Sequence, residues 1–443
     1  MSYISIIYYL VGFFLSIFLI YFIISVFIET KRKASVRILL FLILFDSYWF
    51  GIILITIDNS LQLLNLLFFL FFILLFFLPI GKKQKIRINS VFGEAERVDE
   101  RDTMFARSYL KEGTDEYDTY YQMYPERKPT DDKIRSLPAL LAHGGKFYDE
   151  KRSKNIETQF DIEKSRINEV DGPIDSGKKI IEPFEASKLL KDYTLNLGGD
   201  EVGIALLNPN YIYSHAAIGP EPWGSKIINN HKYVLAFTIE MDYYKVNESP
   251  TIGITEETAC QYLKAQEISI ALAQYIRDLG YPARAHISGS NYQIMLPPVA
   301  YDAGLGELGR MNYLISRKYG ARVRLGAVTT DIPLVTDQPI EFGVQDFCEK
   351  CMKCAENCPS GAISKGAKTE VRGVEKWELN VEQCYRLWRV FGTDCGICMK
   401  ICPFSHPNNW IHNIFRAGIK NSAFARQLSL WGDDLVYGKK LKN

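Results

Sequence analysis

The sequence predicts three membrane-spanning helices, then an α/β domain, then a compact cysteine-rich module, and three observations carry that reading. Three long apolar stretches fill the N-terminal end. Strand-like and helix-like patterns alternate between Ile181 and Leu334. Eight of the 9 cysteines fall between Cys348 and Cys402.

The apolar stretches are Ile4–Ile28, Leu39–Ile57 and Leu61–Ile80. Each is about 19 residues or longer, enough to cross a ~30 Å hydrocarbon core as a helix. A cleavable signal peptide has one short apolar core and is not followed by two more spans. No Arg-Arg pair precedes the first span, so a twin-arginine export signal is not expected. Basic residues set the orientation. Lys31, Arg32, Lys33 and Arg37 follow the first span, and Lys82, Lys83, Lys85 and Arg87 follow the third. The second loop, Asp58–Ser60, carries none. The positive-inside rule therefore predicts a multi-pass anchor in the cytoplasmic membrane, with lipid as partner, an outer N-terminus and everything after Gly81 in the cytoplasm. Asp46 lies inside the second span, where a carboxylate either pairs with a neighbour or relays protons near a quinol.

The chain of 443 residues holds 52 basic and 51 acidic side chains, so no global field attracts nucleic acid, and none is expected as a partner. From Arg87 to about Lys191 the sequence is polar, as in VDERDTMFAR (Val98–Arg107) and PERKPTDDKIR (Pro125–Arg135). An irregular, aromatic-containing wrap is expected there, with the Tyr117–Tyr124 run serving packing. YVLAFTIEM (Tyr233–Met241) has the apolar, β-branched content of a buried strand. Glu256–Leu279 follows with apolar residues at helical spacing, closed by Gly280. VRLGAVTTDI (Val323–Ile332) reads as a further strand. Such alternation points to an α/β domain.

The first cysteine run is Cys348-x2-Cys351-x2-Cys354-x3-Cys358-Pro359. The second is Cys395-x2-Cys398-x3-Cys402-Pro403, with Cys384 upstream. Short gaps let one loop wrap three corners of an iron–sulfur cube, and the cysteine before proline ligates the other cluster of a pair. Two [4Fe–4S] clusters are therefore expected, one on Cys348, Cys351, Cys354 and Cys402, the other on Cys358, Cys384, Cys395 and Cys398. Zinc is the competing reading for CxxC pairs, but zinc does not require the Cys-Pro ending twice. Cys260 stands alone and is expected to be a small buried apolar residue.

AGLGELGRMNYLISRKYGARVRLGAVTTDIPL (Ala303–Leu334), running into FCEKCMKCAENCPSGAI (Phe347–Ile363), resembles the reductive dehalogenases. So do VDERDTMFAR, LGGDEVGIA (Leu197–Ala205), IEMDY (Ile239–Tyr243) and LWGDDLVYGKK (Leu430–Lys440), in the family's order over roughly residues 95–443. The resemblance implies a nitroreductase-like α/β core holding cobalamin, a corrinoid, base-off, and removal of halide from an organohalide with electrons passed through the two clusters. The electron donor is left open among quinol, ferredoxin and flavoprotein. By the spacing of the matching segments, Tyr262 corresponds to the family's proton donor, Arg324 to its basic partner, and Asn291, in HISGSNYQ, to an asparagine completing the pocket. A guanidinium beside a phenol favours the phenolate and so eases proton loss.

The expected domains are an anchor (1–86), an N-terminal wrap (87–190), the corrinoid-binding core (191–340), a ferredoxin-like two-cluster domain (341–410) and a C-terminal segment on the core (411–443). Two departures from the family stand out. Typical respiratory members carry a twin-arginine signal and dock on a separate three-span membrane protein, whereas this chain has three spans of its own. It also has no Asp-x-His-x-x-Gly run to supply a histidine to cobalt, which fits a base-off corrinoid. Two other functions compete: an epoxyqueuosine-reductase-like tRNA modification enzyme, and an electron-transfer subunit without a substrate site. The former family is soluble, adds helical repeats after its clusters and uses an aspartate as its acid.

Overall fold

The computed structural model describes residues 2–55, 60–78, 96–287 and 291–441. In chain order its main elements are α1 (Tyr3–Ile28), α2 (Arg32–Ile55), α3 (Ser60–Phe77), α4 (Glu150–Ser165), β1 (Glu201–Leu206), β2 (Tyr233–Glu240), α5 (Ile252–Asp278), β3 (Ala283–His286), β4 (Val323–Thr330), α6 (Trp410–Asn421) and α7 (Ala423–Val436). They divide into two compact units, one drawn from 1–84 and 407–443, the other from 85–406.

In the first unit α1, α2 and α3 are each long and apolar enough to cross a membrane. Arg32, Lys33 and Arg37 lie in the opening turns of α2 rather than in a loop, because the chain turns within two or three residues of Ile28. Lys82, Lys83, Lys85 and Arg87, and Asp58 of the second loop, lie outside the described residues. Tyr8 of α1 stacks on Trp49 of α2 with ring centroids 4.4 Å apart. Asp46 accepts a 2.6 Å hydrogen bond from Ser16 Oγ across the same pair of helices, which gives the intramembrane carboxylate a structural partner.

The C-terminal segment is a correction to the sequence reading. Instead of covering the core, 411–443 belongs to the unit of the three spans. α6 is amphipathic, and its apolar side meets aromatic rings of the spans. Trp410 packs on Phe18 and Tyr21, Phe415 on Phe22 and Phe76. The ring of Phe76 lies where a Cβ on Gly418 would fall, 2.2 Å away, so glycine permits this close approach. Arg37 donates to the carbonyls of Leu435 and Val436 at the end of α7, where a helix terminus leaves carbonyls without partners.

In the second unit the sheet order is β1-β2-β4-β3, all pairs antiparallel. β2 and β3, joined through α5, therefore run parallel with β4 inserted between them. Side chains alternate between two buried faces. Val234 and Ala236 face one apolar cluster with Tyr211, Leu296 and Val299. Leu235 faces another with Leu272, Ala273 and Ile276 of α5 and Leu190. Burial on both faces explains why β2 reads as an unbroken apolar run.

The expected irregular wrap is instead helical. Met104–Tyr109, Asp115–Met123, Lys128–Arg135 and α4 are helices, and so is Pro183–Asn196. Side-chain caps on Thr103, Thr114 and Asp149 start three of them, a local signal that sparse apolar periodicity obscures. Tyr117, Tyr120 and Tyr121 are buried together and serve packing. Cys260 is exposed, not buried, because it shares with Glu267 and Gln274 the seven-residue spacing of the solvent stripe of α5.

Candidate active site and cluster centre

A cavity of about 1750 Å³ opens in the second unit, larger than the ~300–1,000 Å³ usual for a single small ligand. Tyr262, Asn291, Arg324, Asp394 and Glu163 all line it, so the three residues singled out from the sequence share one chamber. No histidine and no cysteine is among its described lining residues.

α5 presents Tyr262 to the chamber, and the start of β4 presents Arg324. The guanidinium carbon lies 5.0 Å from the centre of the Tyr262 ring. Arg324 Nη2 donates to Thr258 Oγ1 at 2.6 Å, and Thr258 donates to Asp394 Oδ2 at 2.8 Å. Asp394 also stands 3.7 Å from Arg324 Nη2. Thr258 sits one helical turn before Tyr262, so both project from the same side of α5. Arg324 is the largest influence on the Tyr262 phenol and favours its ionisation. Burial, with Asp394 and Glu163, outweighs that, and the phenol is pushed above its ordinary value. The expectation that the guanidinium eases proton loss thus describes one contribution and not the net.

Asn291 is held at both ends of its amide. Its Oδ1 accepts from Arg284 at 2.6 Å and its Nδ2 donates to the Ile167 carbonyl at 3.1 Å. Residues 288–290 of the preceding loop lie outside the described residues.

Two polar atoms of the chamber have no hydrogen-bond partner among the described residues, Arg324 Nε and Glu163 Oε1. Unsatisfied buried polar atoms are rare and costly, and beside a cavity they mark where a ligand supplies the missing partner. Thr258, Asp394 and Glu163 escaped the sequence reading. The spacing of Thr258 from Tyr262 and the position of Asp394 next to Cys395 were legible signals; Glu163 had none.

The cysteine runs meet on short helical turns. Met352 (φ 54°) and Gly396 (φ 63°) each start one of these turns in the left-handed region, which lets the loop reverse between neighbouring cysteines. Arg310, fully buried, donates to the carbonyls of Cys348, Ser364 and Gly366 and fixes the first loop to the core. Burial pushes the thiols up, Cys354 and Cys384 to about 12 and Cys395 to about 11. Their neighbours cross between runs. Cys402 is the cysteine that acts most on Cys348 and Cys354, whereas Cys395 and Cys358 act on Cys384.

Residues 347–406 match the 4Fe-4S dicluster domain. The chain is 33% identical over 294 residues to the tetrachloroethene reductive dehalogenase of Sulfurospirillum multivorans, covering 58% of this chain and 58% of that one. It is 31% identical over 280 residues to that of Desulfitobacterium hafniense, covering 52% and 50%. The chain thus spans little more than half the length of these curated relatives. The epoxyqueuosine reductase of Salmonella typhimurium is more distant, at 26% over 190 residues, covering 38% of this chain and 47% of that one. In fold the chain matches the catabolic reductive dehalogenase NpRdhA in complex with 3-bromo-4-hydroxybenzoic acid, with a TM-score of 0.65 at 24% identity, over 79% of this chain and 48% of that chain.

Proposed function

We propose that this chain, a homologue of reductive dehalogenases, is a membrane-anchored reductive dehalogenase that removes halide from an organohalide, with Tyr262 as proton donor. The observation that carries the reading is the single chamber in which Tyr262, the unsatisfied Arg324 Nε and the Asp394 neighbour of Cys395 come together.

Cys348, Cys351, Cys354 and Cys402 would hold one [4Fe–4S] cluster, and Cys358, Cys384, Cys395 and Cys398 the other, supplying single electrons. The chamber has the volume for cobalamin as well as a substrate. Bound there, a corrinoid would supply the low-valent cobalt that breaks carbon–halogen bonds. The protein's own part is acid catalysis and orientation. Removing halide with two electrons leaves a carbon centre that needs a proton, and Tyr262 holds one in a phenol that burial keeps neutral. Arg324 stays charged throughout and steadies the phenolate formed. Asn291, its amide fixed by Arg284 and Ile167, completes the substrate side. With the anchor oriented as the positive-inside rule predicts, this chemistry would lie at the cytoplasmic face, with a quinol, ferredoxin or flavoprotein as electron donor.

The test is reconstitution with cobalamin and iron–sulfide, then a screen of chlorinated, brominated and iodinated phenols and alkenes under a low-potential donor. Halide release is expected for at least one class. A fully loaded protein that releases none from any of them would overturn the reading.

A further inference from the structure

Glu163 does not belong where it sits unless it has work there. It is 2% exposed, near the C-terminal end of α4, in a stretch whose other carboxylates face water or pair with basic side chains. Its Oε1 has no hydrogen-bond partner among the described residues. Burial is the larger influence on it, and the charge of Lys164, its neighbour on the same helix, acts in the opposite direction. The main chain around Glu163 is anchored to α5, since its carbonyl accepts a 2.7 Å hydrogen bond from Gln266 Nε2. Gln266 lies one helical turn beyond Tyr262, so this bond sets Glu163 against the side of α5 that carries the phenol. Glu163 and Tyr262 line the same chamber, and the carboxylate is near enough to act on the phenol's ionisation.

An unpaired carboxylate in such surroundings costs several kcal/mol, and the group avoids this by keeping its proton. Burial pushes Glu163 up to about 8, so at neutral pH it is mostly a carboxylic acid. Tyr262 lies above its ordinary value near 10. Passing a proton from such an acid to a tyrosinate is downhill, and the reverse is not.

We propose that Glu163 reprotonates Tyr262 after each halide removal. This rests on the dehalogenase reading. The overall step consumes an organohalide, two electrons from a one-electron reductant and one proton, and yields the hydrogen-substituted product and halide. Tyr262 gives its phenolic proton to the carbon centre and becomes a phenolate. The Glu163 carboxyl O–H bond then breaks as the phenol O–H bond re-forms, and water returns the proton to Glu163. The relay leaves the first turnover untouched and limits every later one.

The test uses the full-length, detergent-solubilised holoprotein and its Glu163→Gln variant, which keeps the shape and neutrality of the acid but has no acidic proton. Infrared spectroscopy at neutral pH should show a protonated-carboxyl band that shifts in heavy water and is missing from the variant. Pre-reduced variant should release its first equivalent of halide within about twofold of wild type, while steady-state turnover falls ~10-fold or more. Glu163→Asp, which restores an acid, should recover part of that loss. Absence of a band difference would mean that Glu163 is ionised and the proposal is wrong. An active wild type with an equally active Glu163→Gln protein would overturn the relay alone. Wild-type protein that releases no halide would overturn the dehalogenase reading, and the relay with it, whatever the infrared spectrum shows.

Discussion

The Arg324 guanidinium lies over the Tyr262 ring at 5.0 Å and is held there from behind by the Thr258 hydroxyl at 2.6 Å. A cation on the ring face is attracted to the phenol, and more strongly to the phenolate. If Tyr262 is the proton donor, Tyr262→Phe keeps the ring and its packing but removes the proton. Single-turnover halide release should fall at least about a hundredfold, with cluster and corrinoid content unchanged. Arg324→Met should also slow the reaction strongly. The two losses should not multiply, because the residues act as a unit. Wild-type rates in Tyr262→Phe would remove Tyr262 from the mechanism.

Thr258 gives a milder and more diagnostic variant. Thr258→Val keeps the side-chain shape and deletes the hydroxyl that joins Arg324 to Asp394. Losing one buried, charge-assisted hydrogen bond costs about 1–3 kcal/mol, so a rate loss of roughly tenfold is expected. The thermal midpoint should also drop, since the Asp394 carboxylate loses its donor. A variant as fast and as stable as wild type would show that Arg324 needs no such support.

The crossed arrangement of cysteines can be read spectroscopically. Cys402→Ser should damage the cluster assigned to Cys348, Cys351 and Cys354, although Cys402 is closer in sequence to Cys398. Electron paramagnetic resonance of the reduced variant should retain one cluster with the signature of the Cys384, Cys395 and Cys398 set. Loss of that second signature instead would reverse the assignment.

How much of this was visible beforehand differs from part to part. The cluster cysteines were legible because their spacing is itself the geometry of the loop. The spans were legible because a bilayer demands length and apolarity and little else. Tyr262 and Arg324 came only through resemblance, since a helix tyrosine and a strand arginine are ordinary residues. Glu163 was hidden because its environment is made by the packing of α4 on α5, which no local pattern announces. The destination of α6 and α7 was missed for a similar reason: an amphipathic helix states that it will bury one face but not against what.

Glu100 provides a pH test of stability that is independent of turnover. It is buried, its Oε2 accepts from the Ala217 and Ile218 amides, and burial outweighs those donors and pushes it up to about 7. A carboxyl raised above its unfolded value near 4.5 binds its proton more tightly when folded. Its contribution to stability is therefore full below about 4.5 and is lost as pH rises through about 7. Glu100→Gln should flatten the decline in unfolding midpoint over that window. Equal slopes in wild type and variant would exclude Glu100 as a source.

Membrane sidedness is open to a fusion experiment. A reporter joined after Lys85 should behave as cytoplasmic, given the basic residues flanking the first and third spans. Alkaline phosphatase active at that junction would place the catalytic unit outside.

The position of β4 between β2 and β3 has a consequence for biogenesis. Neither flanking strand finds a permanent hydrogen-bonding neighbour on that side until the ribosome has released Val323–Thr330. Until then the β2 edge and the apolar face of α5 stand open. Non-local pairing of this kind is slow and exposes nascent chains to association. Heterologous production should therefore gain more from slowed translation or added chaperone than from a stronger promoter, with soluble yield after detergent extraction as the measure.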